Sequence, residues 1–394
     1  MIIDKFTWQI PTAVEYGAGV VNQISEKIKD LNGKHPLLVT DKGLEKTGIV
    51  ERVLKNITLA GIEVVKFNNI ESNPKMESIH EGVQVLKKNK NDVVIGLGGG
   101  SPIDAAKSIA MLAANGGDIM DYEFNYEEGF TKVKKKALPI ITIPTTAGTG
   151  AEVTFWSIVL NTKKNYKATI GSPMMAPNIA LVDPLLTKTM PPYITAVTGV
   201  DALSHAIEAY CSQLARPISD ALALQSIELI AKNLLRAVAN GDDLNARDKM
   251  MMASLLGGMV FGNSDVGAGH CLAHALGGMY NIHHGLLCGI ILPYIMDYCL
   301  IAAPERFVKI AIAMGERIEN LSERDAAEKA IIAVKRLIKD INLPSLKELK
   351  VNLEDFPQIS KIAAADPAAV TNIRKFTEDD FKVVLNNAYT LSFH

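Results

Sequence analysis

The hydrophobic pattern changes period once along this 394-residue chain, near Pro191-Pro192, and that change limits the folds open to it. Before it, short β-branched runs alternate with amphipathic stretches. Leu37-Leu38-Val39-Thr40, Val64-Val65-Lys66-Phe67 and Val93-Val94-Ile95-Gly96-Leu97 read as buried strands, separated by helical periodicity at 20–31, 44–60 and 76–90. The run from Leu138 to Ile143 adds a strand, and 155–182 reads as further strands ending at Asp183-Pro184. Such alternation with short connections implies βαβ units and a mostly parallel sheet. From Ala196 onward the period is helical, over 197–213, 218–239, 245–261, 268–280, 286–301, 304–318, 323–340 and 376–391. The expectation is an α/β domain over 1–190 and an all-α domain over 191–394, since a chain of this length exceeds one ordinary core. Ala363-Ala364-Ala365-Asp366-Pro367 reads as a short surface connection.

Composition narrows the function classes. With 48% hydrophobic and 21% charged residues the chain has the balance of a soluble globular protein. A net charge of -2 and the lack of a basic tract argue against a nucleic-acid partner. Met1-Ile2-Ile3-Asp4-Lys5 lacks the order of a signal peptide, and apolar runs break well before ~18 residues, so no membrane partner is expected. Cys211, Cys271, Cys288 and Cys299 form no CxxC pair and read as reduced thiols of a cytoplasmic protein. His35 and His80 read as surface residues, the Lys132–Lys136 run as a solvated stretch, and Met250, Met251, Met252 and Met259 as core packing.

Gly98-Gly99-Gly100-Ser101-Pro102-Ile103-Asp104 follows one of the strands and opens a helix. Ser101 reads as the N-cap, Pro102 as the first helical residue and Asp104 as a capping-box carboxylate. A helix begun this way aims free N–H groups at an anion, so the loop suits a pyrophosphate; the plainer reading is a glycine-rich turn before a well-capped helix. It does not sit at the first βα turn, where the usual GxGxxG lies. Asp41, just past a strand, suits the ribose hydroxyls of a dinucleotide or an N-cap equally well. Thr145-Thr146-Ala147-Gly148-Thr149-Gly150 follows the 138–143 strand, where hydroxyls and small residues suit a cofactor or a plain turn.

Five of eight histidines fall between 205 and 284. Asp201 and His205 lie four apart in a helical stretch, as do His270 and His274, so each pair shares one helix face. His284 follows closely, with His283 beside it as a rival. One such pair is weak evidence, because a helical histidine is usually a packing residue; two pairs and a third site favour a metal. Imidazoles with a carboxylate suit Fe(II) or Zn(II), and the set alone does not choose between them.

These motifs together, with Gly199-Val200-Asp201-Ala202-Leu203-Ser204-His205-Ala206-Ile207-Glu208 and His270-x-x-x-His274-x-Leu276-Gly277 as the most specific, make the chain similar almost end to end to the iron-containing, group III alcohol dehydrogenases. The resemblance implies a dehydroquinate synthase-like architecture: an amino-terminal dinucleotide-binding α/β domain, a carboxyl-terminal helical domain and a cleft between them. It implies a divalent ion on Asp201, His205, His270 and His284, with His274 near it and uncoordinated. As no lone general base is obvious, the proton is expected to leave through His274 or through a cofactor-ribose and water path. Cofactor contacts are implied at Asp41, Asn73, Gly99, Gly100, Ser101, Thr145, Thr146, Thr149 and Lys167, with Asp41 favouring NAD over NADP. Trp156 and Phe261 are implied in the substrate pocket. The expected function is NAD-dependent interconversion of small primary alcohols and aldehydes at iron. A polyol dehydrogenase of glycerol or 1,3-propanediol type is the nearest rival. A dehydroquinate synthase-like lyase needs Lys and Arg around the metal, and 190–300 has few. A non-catalytic metal protein leaves the glycine loop unexplained. A homodimer or higher homo-oligomer is a reasonable prior.

Overall fold

The computed structural model describes residues 5–390, so the reading of the amino terminus, which rests mainly on Met1 to Asp4, lies outside the described residues. Six strands form a wholly parallel sheet: β1 (Ala13–Tyr16), β2 (Pro36–Val39), β3 (Val65–Phe67), β4 (Val93–Gly98), β5 (Ile140–Pro144) and β8 (Ile179–Val182). They lie in the order β1-β8-β5-β4-β2-β3. β2, β4, β5 and β8 are buried along their whole length, as a sheet covered on both faces requires. The helices of this half are α1 (Ile24–Asp30), α2 (Lys42–Glu45), α3 (Ile49–Leu59), α4 (Met76–Asn89) and α5 (Gly100–Asn115). A separate antiparallel hairpin, β6 (Trp156–Asn161) and β7 (Tyr166–Gly171), carries two of the expected site residues.

The chain runs from β2 out to the edge strand β3 and returns on the other side of β2 as β4, so the strand order reverses between β2 and β4. A crevice opens at the carboxyl ends of strands at such a point. Asp41 follows β2 and the Gly98–Gly100 loop follows β4, which puts both at this crevice.

The other half is helical: α6 (Pro192–Tyr210), α7 (Pro217–Ala239), α8 (Leu244–Ser264), α9 (Ala268–Tyr280), α10 (His284–Leu300), α11 (Pro304–Ala313), α12 (Glu323–Asp340), α13 (Phe356–Ala364) and α14 (Glu378–Ala388). α6 is buried without a break from Thr195 to Tyr210, the mark of a helix enclosed by others. The halves meet closely at Gly150, whose φ is +58°, and Gly258 on α8. A Cβ on Gly258 would lie 2.6 Å from the Gly150 carbonyl oxygen, so only glycine allows this approach.

Several expectations need correction. Strand β1 carried no recognised signal. The 44–60 helix is two helices, because Gly48 adopts a left-handed φ of +78° ahead of α3. α5 starts two residues early with Gly99 at its N-cap, and no side chain caps it. Ser101 Oγ instead donates to the Ser72 carbonyl, and Asp104 pairs with Lys107 at 2.9 Å. Ala363–Pro367 is not a surface link: Ala363 is buried at the end of α13 and Asp366 points inward. His35 is exposed, Lys134–Lys136 are solvated, and Met250 and Met251 are core.

Candidate active site

A cleft with about 1070 Å³ of free space, its open mouth included, is walled by both halves. Its lining includes Asn73, Gly100, Ser101, Thr149, Trp156, Lys167, Asp201, His205, Phe261, His270, His274 and His284. Twelve of the expected site residues therefore share one cavity. Asp41, Gly99, Thr145 and Thr146 do not line it; they lie around the glycine loop at its edge.

On that side, Asp41 caps α2 by accepting from the Leu44 N–H at 2.8 Å through Oδ1. Its Oδ2 faces the glycine loop, 3.5 Å from where a Cβ on Gly98 would stand. The two readings of Asp41 are thus compatible, one per oxygen. Gly98 has φ +149°, and a Cβ on Gly100 would lie 2.7 Å from the Thr149 methyl, so the loop and the Thr turn pack as closely as glycine permits. The Thr145 N–H donates to the Gly98 carbonyl at 2.9 Å. The sixteen-residue α5 therefore offers uncapped N–H groups beside small residues, which suits a phosphate. Asn73 donates across the cleft to Asn281 at 2.8 Å. Lys167 is buried on β7, and burial pushes its ammonium down to about 8.

Deeper in, α6, α9 and α10 converge. Asp201 and His205 come from α6 one turn apart, and His270 and His274 from α9. Asn281, left-handed at φ 53°, ends α9 and turns the chain so that His284 opens α10 against the same face. Ligand atoms of Asp201, His270 and His284, together with Cys288, lie within 4.8 Å of one another. Asp201 Oδ1 stands 3.9 Å from His284 Nε2. His283 occupies the N-cap position of α10 without a side-chain capping bond and is not in the group. His205 lies just outside it, its ring stacked on His270 at 4.6 Å and on Phe261 at 4.4 Å between centroids. Burial holds the His205 imidazole down at about 4, so it is neutral. His274 stacks on His284 at 5.2 Å.

Buried donors without partners test whether a cation fits. Asp201 Oδ1, His205 Nδ1 and His270 Nε2 have no hydrogen-bond partner, although each residue is at most 5% exposed. Leaving such groups unmet costs about 1–3 kcal/mol each, and a divalent ion held between Asp201 and His270 meets two of them together.

Two buried carboxylates, given no role from sequence, hold this constellation. Glu208 Oε2 accepts from His270 Nδ1 at 3.1 Å and from the Gly267 N–H. It thereby fixes the tautomer that leaves Nε2 free. Asp366 Oδ2 accepts from His274 Nδ1 at 2.8 Å. Glu208 had a signal, since it lies one turn beyond His205 on α6; Asp366, 92 residues from His274, had none. Trp156 sits in an aromatic cluster with Phe124, Phe130 and Phe155, with centroids 4.9–5.7 Å away. It forms one apolar wall, and Phe261 forms part of the other.

Comparison with known proteins agrees with this geometry. Residues 11–184 match the model of the iron-containing alcohol dehydrogenases, and 195–389 match the carboxyl-terminal model of the same family. A 1,3-propanediol dehydrogenase of Citrobacter freundii is 42% identical over 387 residues, covering 98% of this chain and 99% of its own. An NAD-dependent methanol dehydrogenase of Bacillus methanolicus is 39% identical, covering 96% and 98%. The crystal structure of a 1,3-propanediol oxidoreductase superposes with a TM-score of 0.94 at 41% identity, covering 98% of this chain and all of that one. The chain is an oxidoreductase and belongs to the iron-containing alcohol dehydrogenase family.

Proposed function

We propose that the protein interconverts small primary alcohols and aldehydes with NAD(H), using a divalent ion, Fe(II) in preference to Zn(II). One observation carries this reading: unpartnered buried donors of Asp201 and His270 gather with His284 on the floor of a cleft that also borders the start of α5. Asp201, His205, His270 and His284 are the proposed ion-binding residues. Residues 1–190 are taken as the NAD-binding domain and 191–394 as the metal-binding domain. When bound, the ion would supply Lewis acidity towards the substrate oxygen and NAD the hydride acceptor.

The chain's own residues do the rest. The N–H groups opening α5, with Gly99, Gly100, Ser101 and the Thr145, Thr146 and Thr149 turn, hold the pyrophosphate. Asp41 Oδ2 accepts from the ribose hydroxyls and repels a 2′-phosphate, which favours NAD. Asn73 and Lys167 flank the nicotinamide end. Trp156 and Phe261 press the substrate's apolar part into place and exclude water. His274, held at Nδ1 by Asp366, takes the hydroxyl proton at Nε2 and passes it out of the cleft.

The diol and methanol activities named for the two relatives support a short alcohol or diol as substrate. No helix among the described residues is long and apolar enough to cross a membrane. The four unpaired cysteines support a reducing, cytoplasmic setting, and a homo-oligomer is taken from the general prevalence of symmetric assemblies. The test is reduction of NAD and NADP by anaerobically prepared, iron-loaded protein across short alcohols and diols. The expected result is NADH formation with NAD preferred; no NADH from any of them would sink the proposal.

A further inference from the structure

Among the described residues lining the cleft, Asp265 alone holds a positive φ without being glycine. It ends α8 at φ 61° and ψ 174°, a region that glycine occupies freely and other residues only under strain. Its carboxylate also differs from its neighbours in the cleft. Asp104 is paired with Lys107 and Asp366 with His274, whereas Asp265 forms no ion pair among the described residues. Oδ2 accepts from the Tyr126 hydroxyl, which reaches across from the connection between α5 and β5. Oδ1 accepts from the Val266 N–H at 2.8 Å. Each oxygen therefore keeps a lone pair. Burial raises the Asp265 carboxyl and these two hydrogen bonds oppose it only in part, so the charged form gains from a further donor. The adjoining wall supplies none. Phe124, which packs edge-on against both Tyr126 and Trp156 at 5.2 and 4.9 Å, is apolar, as are Phe261 and Val266.

We infer that Asp265 sets substrate specificity: its carboxylate accepts from a second hydroxyl on the substrate, so the cleft favours diols over plain alkanols of equal length. The inference rests on the alcohol dehydrogenase reading of this cleft. A plain alkanol leaves the carboxylate facing carbon and forfeits a charge-assisted hydrogen bond, a loss of about 10–100-fold in kcat/KM. The strained backbone fits this role, since a glycine there would relax the chain and remove the acceptor.

Paired kcat/KM values for 1,3-propanediol and 1-propanol, measured on one iron-loaded preparation so that the active fraction cancels, test this. The native chain is expected to favour the diol by about 10–100-fold. Asp265→Gly should bring the ratio down to about two, the statistical factor for a diol with two equivalent ends. It should melt no lower than the native chain, because its backbone already suits glycine. Tyr126→Phe keeps the ring and frees Oδ2, so the diol preference should survive. Equal values for the two substrates in the native chain, or a ratio unchanged in Asp265→Gly, overturns the role of Asp265 and leaves the dehydrogenase reading standing. So does a preference lost as fully in Tyr126→Phe, which would make the phenol the discriminating group. An Asp265→Gly chain that melts well below the native one also overturns it, since the carboxylate would then serve the fold. NADH from neither substrate overturns both readings.

Discussion

Replacing Glu208 by Gln tests how the buried carboxylate prepares the metal centre. In the native chain Glu208 Oε2 takes hydrogen bonds from His270 Nδ1 and the Gly267 N–H, and the residue is 5% exposed. The amide keeps the volume and one acceptor oxygen. It removes the negative charge that makes the imidazole a better donor, and it can present an N–H to Nδ1, which then turns the free lone pair away from the ion. Outer carboxylates of this kind are worth about 10–100-fold in metal affinity. At about 1.4 kcal/mol per tenfold, that is about 1.4–2.8 kcal/mol. Competition against a chromophoric chelator, with melting of the apoprotein followed in parallel, measures the effect. The expected result is affinity weakened within that range and an apoprotein melt changed far less than the loaded one. Affinity within twofold of the native chain would refute the idea that Glu208 orients His270.

Other residues give separate tests. Burial raises the Glu152 carboxyl to about 7, so the folded state holds its proton over the interval from 4.5 to about 7 where the unfolded chain has lost it. The resulting penalty grows with pH across that window and is complete above it. Glu152→Gln should therefore stabilise the protein by up to about 3 kcal/mol at pH 8 and leave it unchanged below pH 4.5, as read by denaturant melts. Gly258→Ala puts a methyl 2.6 Å from the Gly150 carbonyl oxygen and should cost about 1–3 kcal/mol, checked by the same melts. Asp41→Gly should relax the preference for NAD over NADP in paired kcat/KM measurements. Since glycine in place of Asp costs an N-cap only a few tenths of a kcal/mol, the melt should barely move.

Much of this was legible from the chain alone, because local period carries the elements. The β-branched runs at 37–40 and 93–97 and the long helices at 218–239 and 323–340 match the structure within a residue or two. The i,i+4 spacing of Asp201 with His205 and of His270 with His274 set both pairs on single helix faces. What sequence could not supply was tertiary. β1 is four residues long and mostly half-buried, so it has no alternation to read. Ser101 looked like a cap because its type fits one, yet the carbonyl of Ser72 claims its hydroxyl. Asp366 looked like loop chemistry before a proline, and only the packing of α13 against α9 shows it facing His274.

Back-titration of anaerobic apoprotein with Fe(II), following NADH formation from a short alcohol, bears most directly on the metal centre. Activity should rise linearly and stop at one iron per chain, and His270→Ala should neither retain the metal nor gain activity. Full turnover by the metal-free protein, or iron-independent turnover by His270→Ala, would contradict an ion gathered by these helices as the centre of the chemistry.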